Sequence, residues 1–146
     1  SPAAYRAFWR DHPALSPDWS PAIEAYIDYD LRGTAPKMSP SASYQAVLED
    51  SLQLSGDVGF ADALAATPVR ISFLRAPRGL LNEPQALYST STVEEWEARV
   101  PSLTAYNIAD VNHYTIVMSR RGADQLGSFV TDALARTTQD ADTRAG

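Results

Sequence analysis

The amino-acid sequence predicts a mixed α/β fold in two parts. Residues 1–66 form a helical part, and residues 67–146 contain two parallel strands with flanking helices. In the first part apolar residues recur three and four apart, as on one helix face, and no stretch alternates with period two. After Pro68 the pattern changes to that of a strand. Since a helical segment separates the two predicted strands, we expect them to be parallel, with a right-handed crossover.

The helical part is predicted to contain four helices, of which the first three carry an apolar stripe. The stripes are formed by Tyr5, Phe8 and Trp9, by Ile23, Tyr26, Ile27 and Leu31, and by Tyr44, Val47, Leu48 and Leu52. Ser20 and Ser39 each precede a proline, which is typical of an N-cap followed by the first helical residue. The first two helices are expected to end before Pro13 and at Gly33, and a short fourth helix covers residues 58–66.

The second part is predicted to run strand, loop, helix, strand, loop, helix. Residues 69–74 and 103–108 have the composition of short strands. Between them, Ser91 and Glu94 have the spacing of a capping box that starts a helix. The last helix covers residues 121–137. Its expected buried side consists of Leu126, Phe129, Val130, Ala133 and Leu134.

The composition excludes several function classes. Among 146 residues, twelve are basic and eighteen acidic, and the net charge of -6 with scattered basic residues argues against nucleic acid as a partner. Without cysteine there is no thiolate metal site and no cysteine nucleophile. No run reaches the roughly 18 apolar residues of a membrane span, and no signal-peptide layout occurs, so we expect a cytoplasmic protein.

The two histidines differ in their settings. His113 follows the second predicted strand, and in open α/β sheets ligands bind beyond the carboxyl ends of the strands. We therefore expect His113 to act in proton transfer. Its neighbours Asn112 and Tyr114 line the site or only shape the loop. His12 lies at a helix end, where an imidazole has a structural role.

The second part resembles the C-terminal end of the α/β-hydrolase fold. The resemblance is carried by the strand over residues 103–108, the loop Asn112-His113-Tyr114-Thr115 and the final helix. The strand over residues 69–74 and the loop over residues 75–84 resemble the penultimate strand and the acid-bearing loop of that family. Residues 1–66 resemble its helical cap, or lid.

This resemblance implies a serine-type hydrolase of carboxylic esters or thioesters, an esterase or thioesterase without a cofactor. His113 would be the general base of the catalytic triad. The lid would contribute apolar side chains such as Trp9 and Tyr26 to a pocket for a small hydrophobic acyl substrate, although helical spacing also favours core packing for both.

Two elements of the family pattern are missing or displaced. The sequence contains no G-x-S-x-G, so the nucleophile would come from the N-terminal half of the same hydrolase, joined covalently or after cleavage. This chain alone would then be inactive. Arg78 stands where the family commonly has its acid, which leaves Glu83 in the same loop, Asp110, or an acid outside this sequence as candidates.

Two alternatives accompany this hypothesis. The chain would be a non-catalytic binding or assembly module if it keeps only the hydrolase-like shape. The second alternative is a metal site formed by four acidic residues of the helical part, Asp28, Asp30, Glu49 and Asp50. Because these residues lack ligand spacing and a companion histidine, we expect solvated helix faces and no metal.

Overall fold

The structure is a computed structural model that describes residues 1–53 and 59–145, with the side chains of these residues except Gln53 and residues 137–145. The helices are α1 (Pro2–Arg10), α2 (Pro21–Asp30), α3 (Tyr44–Gln53), α4 (Phe60–Ala65), α5 (Thr90–Arg99), α6 (Thr115–Met118) and α7 (Arg120–Ala145). The strands are β1 (Leu31–Thr34), β2 (Lys37–Pro40), β3 (Ile71–Arg75) and β4 (Leu103–Asn107). A 3₁₀ turn covers Ser16–Asp18.

The parallel pair predicted for the second part is confirmed. Strands β3 and β4 are parallel, from Ile71 opposite Leu103 to Arg75 opposite Asn107, and α5 lies between them in the chain. On one face of this sheet Phe73 and Leu103 share a cavity with side chains of α5. On the other face, the ring of Tyr106 lies 4.8 Å from that of Phe129 on α7. Helices therefore lie against both faces, as is usual for parallel strands.

The predicted N-cap of α2 is confirmed and that of α5 is wrong. Ser20 accepts a hydrogen bond from the Ile23 amide at 3.4 Å. In α5 the cap is Ser89, which accepts from the Thr92 amide at 3.0 Å, while Ser91 lies inside the helix. The backbone of Ser89 is extended, as a capping residue requires.

An antiparallel hairpin replaces predicted helical sequence between α2 and α3. Leu31 begins β1, and Ser39 belongs to β2, so the expected helix start at Ser39 is wrong and α3 begins at Tyr44. Gly33 has φ 97°, and a Cβ there would lie 2.5 Å from the Lys37 carbonyl oxygen. Gly33 lies within β1 opposite Met38, and the close approach together with the positive φ explains why a glycine occupies this position.

The predicted buried side of α7 is partly exposed, and the apolar stripe of α3 is exposed. Leu126 and Phe129 on α7 are half-buried, but Val130 and Leu134 are 58% and 65% exposed. On α3 the exposed stripe consists of Tyr44, Val47, Leu48 and Leu52. The expected fourth helix is α4, and Val58 at its predicted start lies outside the described residues. None of the helices in the described ranges is both long and apolar enough to span a membrane.

The apolar core joins the two parts of the chain. Leu15, Ile23 and Ile27 form a buried cluster in the helical part. Tyr114 and Met118, which follow β4, pack against this cluster. A second buried set comes from α5, β4 and the residues just after them, and consists of Val93, Val100, Leu103, Ile108 and Val111. The loop that carries His113 is therefore supported from both parts.

Candidate functional site

The two loops that follow the parallel strands are held together at the carboxyl ends of β3 and β4. Backbone pairing continues past the strands as a parallel bridge between Arg78 and Asn112. The guanidinium of Arg78 donates to the carbonyl oxygen of Asp110 at 3.1 Å, and that of Arg121 donates to the same oxygen at 2.8 Å. Asp110 has φ 56°, a left-handed conformation that these two bonds stabilise.

The side chain of Asn112 shapes the loop that presents His113. Asn112 is 1% exposed, and its Oδ1 accepts from the amides of Tyr114 and Thr115 at 3.0 and 2.9 Å. Its Nδ2 donates to the carbonyl of Ala14 at 2.8 Å and to Oδ1 of Asn82 at 3.1 Å. Both amide hydrogens and both oxygen lone pairs are thus used by the protein. Of the two roles open to Asn112, the structure therefore favours shaping the loop over contacting substrate.

His113 is exposed and lines a groove of about 360 Å³. The groove is lined by Phe73, Leu74, Arg75, Ala76, Arg78, Leu87, Tyr88, His113, Ile116 and Val117. The ring of His113 contacts that of Tyr114 edge to face, with centroids 5.4 Å apart. Within residues 1–53 and 59–145, neither ring nitrogen of His113 makes a hydrogen bond. Both nitrogens are therefore available to groups from outside the described part.

The ring of Tyr114 lies between the two imidazoles. Its centroid is 5.9 Å from that of His12, and the centroid of His12 is 5.3 Å from that of Trp9. The half-buried His12 accepts a hydrogen bond at Nδ1 from the Ala14 amide at 3.3 Å. His12 therefore has a structural role at the end of α1.

The two residues of the helical part that are predicted to contact substrate, Trp9 and Tyr26, do not lie in the groove. Trp9 is half-buried against the core cluster, and Tyr26 is 54% exposed on α2. Neither side chain lines the groove at His113. Trp9 and Tyr114 contact the same core cluster and the ring of His12.

Glu83 closes its own turn in the loop after β3. Its Oε2 accepts from the Leu81 amide at 2.7 Å, and its carbonyl accepts from the Gly79 amide at 3.1 Å. A Cβ on Gly79 would overlap Oε1 of Glu83, so this glycine makes room for the carboxylate. No hydrogen bond joins Glu83 or the exposed Asp110 carboxylate to His113 in the described ranges.

Arg75 and Tyr88 shape the groove and were not singled out from the sequence. The guanidinium of Arg75 donates to the Tyr88 carbonyl at 2.8 Å and to Oδ1 of Asn107 at 3.0 Å. The Tyr88 ring meets that of Phe73 edge to face at 5.6 Å. The strand pattern places Phe73 and Arg75 on one face of β3, whereas Tyr88 lies in a loop without a periodic signal.

Two acidic side chains of the helical part, Asp28 and Asp30, are paired with other groups. Asp28 bonds the guanidinium of Arg6, and Asp30 accepts hydrogen bonds from Tyr5 and Ser41. Among the residues described, no group of three metal-ligating side chains occurs.

The described part of the chain is an α/β structure with His113 at the carboxyl ends of a parallel pair of strands. No protein-family model, no curated protein and no solved structure matches the chain.

Proposed function

We propose that the chain is the cap and C-terminal part of a serine-type α/β-hydrolase that cleaves carboxylic esters or thioesters, with His113 as its general base. The observation that carries this proposal is the setting of His113. The imidazole is exposed beyond two parallel strands, and its ring nitrogens make no hydrogen bond to the described residues. An imidazole with one nitrogen for a carboxylate and one for a hydroxyl is what triad chemistry requires.

In the proposed reaction, His113 takes the proton of a serine hydroxyl as that oxygen attacks the acyl carbon. The same proton then passes to the leaving alcohol or thiol, and an acyl-enzyme remains. His113 next removes a proton from water, which attacks the acyl-enzyme, and returns the proton to the serine. The serine and the donors for the oxyanion come from the N-terminal half of the hydrolase, outside this sequence.

This chain's own contribution is to hold the imidazole in place. The Asn112 side chain fixes the backbone on both sides of His113, and the Arg78 guanidinium fixes that of Asp110 before it. A base held by buried bonds keeps its geometry during the reaction, which supports catalysis through positioning. The groove at His113 is lined by apolar side chains such as Phe73, Leu87 and Ile116, which favours a hydrophobic acyl substrate.

The test is ester hydrolysis by the complete natural polypeptide that contains this sequence. With p-nitrophenyl butyrate, we expect His113→Gln to lower kcat/KM by about 10²–10⁴-fold, the usual contribution of a general base. His12→Gln is the matched control, because His12 is the other histidine, and its kcat/KM should stay within about threefold of wild type. Equal rates for His113→Gln and wild type would show that the proposal is wrong.

A second candidate is a non-catalytic binding or assembly module of the same shape. It is favoured by Arg78, which occupies the position expected for the acid and donates to a backbone carbonyl. It is also favoured by Glu83, whose carboxylate bonds the Leu81 amide. In this case, the complete wild-type polypeptide would not hydrolyse the ester above the rate of buffer.

A further inference from the structure

Two arginines line the same groove as His113. Arg75 is the last residue of β3, and Arg78 lies in the loop after it. Both are half-buried, and none of the described residues that line the groove is acidic. A cleft lined by charge of one sign attracts ligands of the opposite sign. The groove is therefore suited to an anion, although the sequence as a whole carries a net charge of -6.

The hydrogen bonds of the two arginines go to uncharged acceptors. Arg75 donates from Nε to the Tyr88 carbonyl at 2.8 Å and from Nη1 to Oδ1 of Asn107 at 3.0 Å. Arg78 donates from Nη2 to the Asp110 carbonyl at 3.1 Å. In residues 1–53 and 59–145, neither guanidinium forms a salt bridge with a described carboxylate. The described part of the chain therefore supplies no negative charge to balance either arginine.

Arginines outside the groove do have carboxylate partners. Four of them form salt bridges: Arg6 with Asp28, Arg10 with Glu24, Arg99 with Asp62, and Arg120 with Asp124. Their side chains are 42–92% exposed, so water also solvates these charges and each pair adds little stability. A half-buried guanidinium has lost part of that solvation, so a counter-charge stabilises it more. The arginines of the groove are thus the ones for which an anionic partner matters most.

One donor atom of Arg78 is buried without a partner. Its Nε has no hydrogen-bond acceptor among the described residues. A buried donor on a cationic group is costly unless an acceptor meets it, and the cost exceeds that of a neutral donor. An oxygen that binds at Arg78 therefore satisfies a buried group as well as a charge.

We propose that Arg78, together with Arg75, binds an oxyanion on the substrate, a carboxylate or a phosphate, so that the hydrolase prefers esters or thioesters whose acyl chain carries this group. Guanidinium donors are planar and match the oxygens of both anions. Apolar residues of the same groove, such as Leu87 and Ile116, would contact the hydrocarbon part of the chain. The inference rests on the proposed function, because it names the substrate class of that site.

A substrate group fits this groove better than a carboxylate of the N-terminal half. His113 lines the groove together with both arginines, so a group bound there lies in the space where the ester would meet its general base. The groove volume of about 360 Å³ is within the usual range for small-molecule sites. A protein carboxylate at Arg78 is the competing explanation, and the experiment below distinguishes it.

The test compares two esters with the complete natural polypeptide. Mono-p-nitrophenyl adipate and p-nitrophenyl hexanoate have acyl chains of equal length, and a carboxylate in the first replaces the terminal methyl group of the second. We expect kcat/KM to be about tenfold or more higher for the adipate ester, because a hydrogen bond to a charged group contributes at least this much. A smaller preference would overturn the inference.

Arginine variants with a matched control test which residue gives the preference. Arg78→Gln should lower the adipate-to-hexanoate ratio of kcat/KM by about tenfold or more. Arg121→Gln is the control, because Arg121 donates to the same Asp110 carbonyl but does not line the groove, and its ratio should stay within about threefold of wild type. If Arg78→Gln does not fold, Arg75→Gln replaces it with the same expected fall.

An equal loss for both esters in Arg78→Gln would overturn the inference. Arg78 would then only hold the loop before His113 or bind a carboxylate of the N-terminal half, and neither role depends on the charge of the acyl chain. The ratio cancels such losses, so it reports on the anion alone.

Inhibition at constant ionic strength distinguishes the two oxyanions. Whichever of propionate and inorganic phosphate inhibits adipate hydrolysis more strongly identifies the preferred group, and its inhibition should be about tenfold weaker in Arg78→Gln. Inhibition by neither anion, or inhibition that is unchanged in Arg78→Gln, would overturn the inference.

A binding measurement separates the anion site from the chemistry of His113. Calorimetry with adipamic acid and hexanamide requires no hydrolysis, and wild type should bind the acid about tenfold or more tighter than the amide, whereas Arg78→Gln should not. That result without ester hydrolysis would keep the anion site and reject the proposed function. Hydrolysis that depends on His113, without a preference for the adipate ester, would do the reverse.

Discussion

The side-chain amide of Asn112 donates a hydrogen bond of 2.8 Å to the carbonyl of Ala14, 98 residues earlier in the chain. Ala14 follows α1 in the helical part, and Asn112 lies in the loop that presents His113. Both residues are buried, so no water replaces this bond if it is lost. The helical part and the His113 loop are therefore joined by a specific polar contact as well as by apolar packing.

Replacing Asn112 should destabilise the protein. Asn112→Ala removes four side-chain hydrogen bonds and leaves the buried Ala14 carbonyl unpaired, so we expect a loss of about 2–3 kcal/mol in the free energy of unfolding. Denaturant unfolding measures this. Asn107→Ala is the control, because Asn107 is exposed, and its loss should be below about 1 kcal/mol. Equal losses in the two variants would contradict the structural role of Asn112.

Replacing either of two glycines of α7 by alanine should change the free energy of unfolding, in opposite directions at the two positions. A Cβ at Gly122 would clash with the backbone carbonyls of Thr115 and Ile116 in α6, whereas a Cβ at Gly127 meets nothing within 4 Å. We expect Gly122→Ala to destabilise by about 2 kcal/mol or more, because backbone atoms must move. Gly127→Ala should stabilise by about 0.5–1 kcal/mol through helix propensity. Thermal unfolding checks this, because the melting temperature should fall in Gly122→Ala and rise in Gly127→Ala. A change of the same sign in both variants would contradict the close approach of α6 and α7.

The parts of the fold that the sequence predicts correctly depend on local patterns. The parallel pair follows from two short strand-like runs with a helix between them, and the cap at Ser20 follows from a serine before a proline. The hairpin over residues 31–40 was missed because its strands have four residues each, too few to show a period of two. The exposure of the α3 stripe was not predicted, because helical spacing identifies an apolar face but not whether another element covers it.

The same limit applies to the candidate site. The position of His113 after a strand is local information, and the sequence predicts it. The contacts that hold the loop are not local: Asn112 bonds residues 98 and 30 positions away. Glu83 and Leu81 are only two residues apart, but the sequence allows the Glu83 carboxylate either to accept from the Leu81 amide or to reach His113. The three-dimensional structure is needed to choose between these two contacts.

A hydrogen-bonded cluster in the helical part links stability to pH. The Tyr5 hydroxyl donates to Oδ2 of Asp30 at 2.6 Å, and the Ser41 hydroxyl donates to Oδ1 at 2.6 Å. Hydrogen bonds from Ser41 and then Tyr5 lower the pKa of Asp30, because they favour the carboxylate. Burial, followed by the bond to Asp30, raises the pKa of Tyr5.

The Tyr5–Asp30 bond should therefore weaken at both ends of the pH range. A lowered pKa at Asp30 stabilises the fold above the usual value of 3.8, and this contribution is lost as pH falls through the lowered pKa. A raised pKa at Tyr5 stabilises the fold below its usual value of 10.0, and this contribution is lost as pH rises through the raised pKa. We expect Tyr5→Phe to cost about 1 kcal/mol between these limits.

Denaturant unfolding of wild type and Tyr5→Phe from pH 3 to pH 11 checks this behaviour. The difference between the two proteins should be largest near neutral pH and shrink toward both extremes. Ser41→Ala is the companion variant: its cost should shrink only on the acid side, because Ser41 bonds Asp30 and not Tyr5. A cost of Tyr5→Phe that is constant across the range would contradict the bond.

The last prediction concerns the acid of the triad in the proposed hydrolase. If Glu83 is the acid, its carboxylate must exchange the Leu81 amide for the ring of His113 when the hydrolase is complete. Glu83→Gln keeps an oxygen that accepts from the Leu81 amide but removes the charge that stabilises an imidazolium. We therefore expect kcat for p-nitrophenyl butyrate to fall by about 10²-fold or more, with unfolding free energy within about 1 kcal/mol of wild type.

Asp110→Asn is the matched control for Glu83→Gln. The structure uses the backbone carbonyl of Asp110, which accepts from Arg78 and Arg121, and this substitution leaves that carbonyl in place. Its kcat should stay within about threefold of wild type. Full activity in Glu83→Gln with a large loss in Asp110→Asn would assign the acid to Asp110. Full activity in both would assign it to the N-terminal half, because an imidazolium at His113 still requires a carboxylate beside it.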